Sequence, residues 1–211
     1  IMASFLILAN HAGGSFAFAD IRATVFDPAN ASVCFVLAFF GFGAKAGIIP
    51  LHGWLPKAHP EAPSNVSALM SGGMIKIGIF GILKVGLDLL SASGVQVWWG
   101  LMVMVFGAIS SVLGVAFALQ EHDIKRLLAY HSVENIGIIL LGVGASICAQ
   151  ALGYTGIAVL ALMAALYHTF NHAMFKGELF LGAGALLYAT GTRNMESMGG
   201  LFRRMPATAI C

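Results

Sequence analysis

The stretch "GFGAKAGIIPLHGWLPKAHPEAP", from Gly41 to Pro63, decides the fold. It begins by continuing an apolar run that contains Lys45, and from Pro50 onward it holds four prolines, two histidines and a second lysine. Proline removes a backbone donor and clashes with the preceding helical turn, so a helix that enters this stretch has to break. We predict that the break involves Gly47, Pro50 and Pro56. Transporters place ion sites at helices that are broken at membrane depth.

The composition predicts a membrane protein. Of the 211 residues, 59% are hydrophobic and 9% are charged, whereas soluble domains have about 45–50% apolar and about 25% charged residues. No charged residue lies between Asp88 and Glu121 or between Glu134 and Lys176. Each of these runs exceeds the roughly 20 residues that are needed to cross a bilayer. A soluble protein with a large buried core is therefore a poor interpretation of this sequence.

Several classes of site are not indicated by the sequence. The net charge of +2 is too small to suggest a nucleic-acid partner. Cys34, Cys148 and Cys211 are far apart and show no CxxC spacing, which predicts neither a metal site nor a disulfide framework. There is no GxGxxG motif. We therefore expect no cofactor, no metal and no catalytic centre in this chain.

Six apolar segments predict an all-α polytopic fold, because backbone groups in lipid must bond within their own helix. The segments span about 1–18, 31–50, 64–87, 96–119, 127–148 and 155–189. The last is long enough for a straight helix of roughly 50 Å, so it must be tilted, be interrupted or leave the membrane. The chain starts inside one apolar helix and stops at the apparent start of another. We therefore expect it to be a fragment of a longer membrane protein.

Basic residues separate cleanly between the two sets of connections. One side holds only Arg22. The other side holds Lys57, Lys125, Arg126, Arg193, Arg203 and Arg204. Cytoplasmic loops of membrane proteins are enriched in lysine and arginine. The loops near 51–63, 120–126 and 190–206 are therefore predicted to be cytoplasmic.

Ionisable residues inside the apolar segments are costly and mark functional sites. They are Lys45, Lys76, His131, Glu134, His168, His172 and Lys176. The last three are spaced by four residues, so they lie along one helix face. Neutral imidazole accepts a proton on one nitrogen and donates from the other, and a lysine in an apolar environment can release its proton because burial disfavours the charged form. Arginine cannot do so, and every arginine here lies in a loop. The pattern favours a proton relay.

Other interpretations of these residues remain open. Lys45 lies close to the end of its segment, so its amine can extend to the membrane interface. His168 and His172 can serve packing alone, or can bind a haem or share one metal ion at this spacing. Glu134 can simply pair with a lysine of another helix.

The residues resemble a known family. The motif "AKAGIIPLHGWLPKAHPEAPSNVSALMSGGMIKIGIFGILKV" is similar to the core of the antiporter-like membrane subunits, as are "HDIKRLLAYHSVENIG", "HTFNHAMFKGELFLGAGAL" and "TRNMESMGGLFRRMP". That family includes subunits L, M and N of bacterial complex I and the large subunits of Mrp sodium/proton antiporters. It also includes the membrane subunits of group 4 nickel–iron hydrogenases and formate hydrogenlyase.

The resemblance implies a fold of fourteen helices with two inverted five-helix repeats. In that fold the chain is one incomplete transmembrane domain, with 1–90 ending the first repeat and 95–211 starting the second. The family's relay positions match Lys45, Lys76, Lys125, His168, His172 and Lys176. The glutamate that partners Lys45 is expected before residue 1, and the exit residue after residue 211. His131 and Glu134 replace small polar residues that are usual in complex I, which favours the hydrogenase component B type.

The resemblance also implies a function. We expect a proton-translocating membrane subunit in the bacterial inner membrane, bound to other membrane subunits and to a peripheral hydrogenase or dehydrogenase arm. It would couple electron transfer in those partners to proton movement. The alternatives are an Mrp-type sodium/proton antiporter subunit, and subunit M or L of an NADH:quinone oxidoreductase. Two further alternatives are a membrane enzyme that itself binds quinone or haem, and a subunit that only anchors its neighbours.

Overall fold

The structure is a computed structural model that describes residues 1–210. Within these residues the ten longer helical elements are α1 Met2–His11, α2 Phe18–Ala23, α3 Pro28–Ala46, α4 Leu55–Glu61, α5 Ser64–Leu89, α6 Val97–Ala118, α7 Ile124–Ala151, α8 Thr155–Thr190, α9 Leu201–Arg204 and α10 Pro206–Ile210. Two single turns of 3-10 helix lie at Ser91–Ser93 and Met195–Ser197. The β-structure of these residues is limited to an isolated bridge between Asp123 and Asn194. The third cysteine, Cys211, lies outside the described residues.

Five helices are long and apolar enough to cross a membrane, namely α3, α5, α6, α7 and α8. The all-α polytopic fold is therefore confirmed, but the first predicted segment differs. α1 has ten residues, or about 15 Å, which is half of the roughly 30 Å hydrocarbon core. Gly13 and Gly14 follow it with φ of 69° and 85°, in the left-handed region that glycine adopts readily. This glycine pair divides the segment between α1 and α2.

The predicted break in the second span is present and begins earlier than the prolines. α3 ends at Ala46, and Gly47 terminates it in the left-handed conformation with φ of 85°. Pro56 lies in the first turn of α4, where its missing N–H is not needed. The backbone N–H of Ile49 in the unwound stretch donates to Ser110 Oγ of α6 at 3.0 Å. The broken segment is thus held by a neighbouring helix.

α5 contains two π-helical turns, at Met70–Met74 and at Lys84–Leu89. Such turns replace the regular i to i−4 bonds with wider ones and are frequent at functional sites. In the first turn, Ile75 N donates to Met70 O at 3.2 Å. Lys76 follows this turn directly, so the carbonyl groups near it lie outside the regular helical ladder.

α6 and α7 pack through a seam of glycines. Gly100, Gly107 and Gly114 of α6 face α7, and Gly137 and Gly144 of α7 face α6. A Cβ atom at Gly107 would lie 2.9 Å from the carbonyl oxygen of Gly137, so the two backbones are in direct contact. Small residues permit this close approach between membrane helices. The seam fixes α7 in the centre of the molecule.

The connections that were predicted to share a side of the membrane are in contact. Arg193 Nη1 donates to Pro60 O at 2.5 Å, and Arg193 Nε pairs with Asp123 Oδ2 at 3.1 Å. These contacts join the loops near 51–63, 120–126 and 190–206. At the opposite end, Arg22 Nε bonds Asp88 Oδ1 at 2.6 Å. The two groups of connections therefore lie at opposite ends of the helices.

α8 is uninterrupted over 36 residues. At 1.5 Å per residue it is about 54 Å long, well beyond the hydrocarbon core. Its end is marked by Gly191, which has φ of 70°. The helix is therefore not interrupted, which was one of the three alternatives stated for this segment. The two that remain are a tilted helix and a helix that extends past the hydrocarbon core.

Asp123 is the N-cap of α7, and removing its carboxylate is expected to destabilise the protein. Its Oδ1 accepts from Lys125 N at 2.8 Å and from Arg126 N at 3.1 Å. We expect Asp123→Ala to lower the free energy of unfolding by about 1–2 kcal/mol, as for other lost caps. The midpoint of thermal unfolding in detergent measures this. Glu196→Ala is the control, because Glu196 is exposed and pairs with the exposed His122. An equal loss in both variants would contradict the prediction.

Candidate functional site

The polar row on α8 has the predicted arrangement. His168 and His172 stack with their ring centroids 6.5 Å apart and an interplanar angle of 23°. His172 and Lys176 are buried, at 0% and 1% exposure, and His168 is half-buried. Neither ring nitrogen of His172 has a hydrogen-bond partner among the described residues. The row therefore places two imidazoles and one amine in sequence along an apolar helix.

Lys76 of α5 and Lys176 of α8 are connected through α7. Lys76 Nζ donates to the carbonyl oxygen of Ser71. Ser71 Oγ bonds Ser132 Oγ at 2.9 Å, and Ser132 Oγ donates to Leu128 O at 3.0 Å. Lys176 Nζ donates to the same oxygen of Leu128 at 3.0 Å. Both serines have 0% exposure, so the connection between the two amines is buried.

A second connection joins the predicted residues of α7 to the α8 row. His131 Nδ1 and Glu134 Oε2 are 2.5 Å apart. Asn135 Nδ2 donates to His131 O at 2.7 Å, and its Oδ1 lies 3.1 Å from His168 Nε2. Glu134 thus pairs with a histidine of its own helix. Among residues 1–210 it does not pair with a lysine of another helix, which was one of the interpretations left open by the sequence.

Lys125 lies at the loop end of the same region. It is buried at 2% exposure, and its Nζ donates to Ala62 O at 2.8 Å. The neighbouring His59 of α4 is fully buried and stacks on Phe180 of α8, with centroids 4.6 Å apart. Phe180 is the next position along the α8 row after Lys176. Burial, and then the positive charges of Lys176, Lys125 and Lys76, lower the pKa of His59 to about 4.

Lys45 is the predicted residue that the structure does not bring to the others. It lies in the last turn of α3 with an exposed side chain. Its helix packs against α5 close to Lys76, since a Cβ atom at Gly78 would lie 2.5 Å from Phe42 O. The backbone of Lys45 is therefore near the site while its side chain is exposed.

Four residues of the site were not predicted: Ser71, Ser132, Asn135 and His59. The serines resemble ordinary small packing residues of membrane helices, so the sequence offers no signal for them. Asn135 directly follows Glu134, and two adjacent polar residues inside an apolar segment could have indicated that Asn135 belongs to the site. His59 was assigned to a loop, and its burial depends on how α4 packs against α7 and against Phe180 of α8.

The donor set determines what the site can do chemically. Among residues 1–210, no group of three histidine, cysteine or acidic side chains could hold a metal ion, so the shared-metal interpretation of His168 and His172 has no third ligand there. Lys76 and Lys176 each donate to a backbone carbonyl oxygen. An amine donates to a carbonyl whether it is protonated or neutral. The site can therefore keep its geometry while it gains and loses protons.

Known proteins share this sequence and this fold. Residues 1–211 match the family described as NADH:quinone oxidoreductase/Mrp antiporter, TM. Hydrogenase-4 component B of Escherichia coli is 57% identical over 209 residues, which cover 99% of this chain and 31% of the relative. Formate hydrogenlyase subunit 3 of the same organism is 48% identical over 175 residues, or 83% of this chain and 28% of the relative.

A chain of respiratory complex I from Thermus thermophilus with bound NADH superposes with a TM-score of 0.84 at 27% identity, covering 99% of this chain and 42% of that one. The chain spans about a third of the length of the curated relatives named above. The resemblance stated from the motifs is confirmed. With its full length matched and its helical fold shared, the chain belongs to the NADH:quinone oxidoreductase/Mrp antiporter transmembrane family.

Proposed function

We propose that the chain is part of a proton-translocating membrane subunit of a hydrogenase-type oxidoreductase complex. The observation that carries the proposal is the buried connection between Lys76 and Lys176 through α7. Two amines that can each hold or release a proton, joined by polar groups in an apolar interior, provide the elements of a path along the membrane plane. The hydrogenase and formate hydrogenlyase relatives support the type of complex.

The proposed relay consists of the ionisable residues that the sequence singled out. Its members are Lys45, Lys76, Lys125, His131, Glu134, His168, His172 and Lys176. Lys125 receives protons at the loop end, the α8 row and Lys76 carry them across the middle, and Glu134 with His131 supplies the acceptor at the far end of the row. Lys45 enters on the family resemblance, since its amine is exposed in this chain.

The proposal extends to location and partners. The subunit lies in the bacterial inner membrane, with the basic loops near 51–63, 120–126 and 190–206 in the cytoplasm. Other membrane subunits and a peripheral redox arm bind it. The redox centres belong to those partners, and electron transfer there drives the changes of protonation in the relay.

Lys76→Met tests this function in the full-length parent, assembled in its complex and studied in inverted membrane vesicles. The variant keeps the length of the side chain and removes the amine. We expect the rate of proton uptake per redox turnover to fall by about 100-fold, as for other positioned proton-transfer groups. Lys57→Met is the control, because Lys57 is an exposed lysine of a basic loop. Uptake that persists in the Lys76 variant would refute the function.

An Mrp-type cation antiporter is the second candidate, since the family description names those proteins. It would move sodium against protons without a redox partner. The same vesicles distinguish the two. A pH gradient that collapses on addition of sodium, and not on addition of a redox substrate, would support the antiporter and count against the hydrogenase-type function.

A further inference from the structure

The two buried serines between Lys76 and Lys176 are more than a packing contact. Ser71 and Ser132 have 0% exposure, and their hydroxyl oxygens are 2.9 Å apart. Membrane helices gain only modest stability from such a pair. Alanine would fit each position with almost the same volume and without burying a polar group.

The proton positions in this pair follow from the count of hydroxyl hydrogens. A serine hydroxyl has one proton to donate and two lone pairs. Ser132 uses its proton on Leu128 O at 3.0 Å, so Ser71 is the donor in the bond between the two serines. The hydroxyl chain therefore has a direction in this state, from Ser71 towards Ser132.

Each end of the hydroxyl chain lies beside an amine. Lys76 Nζ is bonded to the carbonyl oxygen of Ser71, in the same residue as the hydroxyl. Ser132 Oγ and Lys176 Nζ share one acceptor, Leu128 O, each at 3.0 Å. In this state each amine is thus held on a backbone carbonyl oxygen beside one of the hydroxyls.

We propose that Ser71 and Ser132 form a hydroxyl bridge that passes protons between Lys76 and Lys176. The step is balanced. The ammonium group of Lys76 turns from Ser71 O to Ser71 Oγ and gives it a proton. Ser71 then gives its own proton to Ser132 Oγ, and Ser132 gives its own to the lone pair of neutral Lys176. Lys76 ends neutral and Lys176 ends charged, while each hydroxyl again carries one proton.

The bridge also requires a reset. Ser132 must turn its proton from Leu128 O to Lys176 Nζ for the transfer, and both hydroxyls must turn back before the next one. A neutral amine of Lys176 can still donate to Leu128 O while its lone pair accepts from Ser132. Rotation of a hydroxyl needs no movement of the helices, so the bridge works within the packed interior.

This inference rests on the proposed function and is tested in the same vesicles with Ser71→Ala, Ser132→Ala and the double variant. We expect each single variant to lower the rate of proton uptake by about 10- to 100-fold. The double variant is expected to be no slower than the slower single one, because both changes interrupt one chain. Independent packing effects would multiply instead.

Ser146→Ala is the matched control. Ser146 lies on the same helix, is 2% exposed, and donates to a carbonyl oxygen of α8, that of Ala158, at 2.8 Å. Its variant should pump like the parent, with the same amount of assembled complex. If Ser132→Ala pumps at the parental rate, or if the losses in the double variant multiply, the bridge is overturned. Loss of uptake in Lys76→Met alongside either result would leave the proposed function standing.

Discussion

Replacing Lys176 with arginine is expected to stop proton uptake as completely as replacing it with methionine. Lys176 is 1% exposed and makes its polar contact with Leu128 O. Arginine keeps the positive charge but remains protonated in proteins, so it cannot take part in a cycle of release and reloading. We expect both variants to retain less than about 1% of the parental uptake rate, measured with redox turnover in inverted vesicles.

The arginine variant separates two roles for this residue. If Lys176 serves only as a fixed positive charge, arginine can replace it. Uptake near the parental rate in Lys176→Arg, together with loss of uptake in Lys176→Met, would establish that role. Lys57→Arg serves as the control for the added guanidinium, because Lys57 is exposed. The amount of assembled complex must be compared in every variant, since arginine is bulkier than lysine.

Replacing Gly137 with valine is expected to prevent the stable packing of α6 against α7. A Cβ atom at Gly137 would lie 2.5 Å from both Gly107 O and Ser111 N. These are backbone atoms, so the clash cannot be relieved by turning a side chain. Overpacking typically costs about 1–3 kcal/mol, and we expect a loss at or above the upper end. The thermal unfolding midpoint in detergent and the yield of assembled complex measure it.

Gly156→Val is the matched control for this prediction. Gly156 is also a helical glycine, in the first turn of α8, and a Cβ atom there meets nothing within 4 Å. Its variant should unfold at the parental temperature. Equal yields and equal midpoints for the two variants would show that the α6–α7 seam tolerates a side chain, contrary to the geometry.

The sequence predicted the membrane helices well because the relevant signal is local. Long apolar runs without charge are incompatible with water, and a backbone in lipid must form helices. The break after Lys45 was also predicted, and the structure starts it at Gly47, one of the three residues named for it. The first apolar segment was predicted to run to about residue 18, whereas its helix ends at His11, just before two glycines with positive φ.

The α8 row could also be read directly from the sequence. The spacing of His168, His172 and Lys176 is set by the helical period alone, and it places them on one face in any uninterrupted helix. Their partners could not be read in this way. Leu128, Ser132 and Asn135 contribute ordinary carbonyl, hydroxyl and amide groups that occur throughout membrane helices.

The sequence by itself therefore determined that this protein crosses the membrane as helices, where its second span breaks, and which buried residues can hold protons. Only the tertiary structure decided that Lys76 and Lys176 meet through two serines of different helices while Lys45 faces outward. The physical reason is one of range. Hydrophobicity, helical period and the effects of glycine and proline act over a few neighbouring residues. The hydrogen bonds that join α5 to α7 and α7 to α8 depend instead on how the helices pack, which the glycine seam and the π-helical turn help to set.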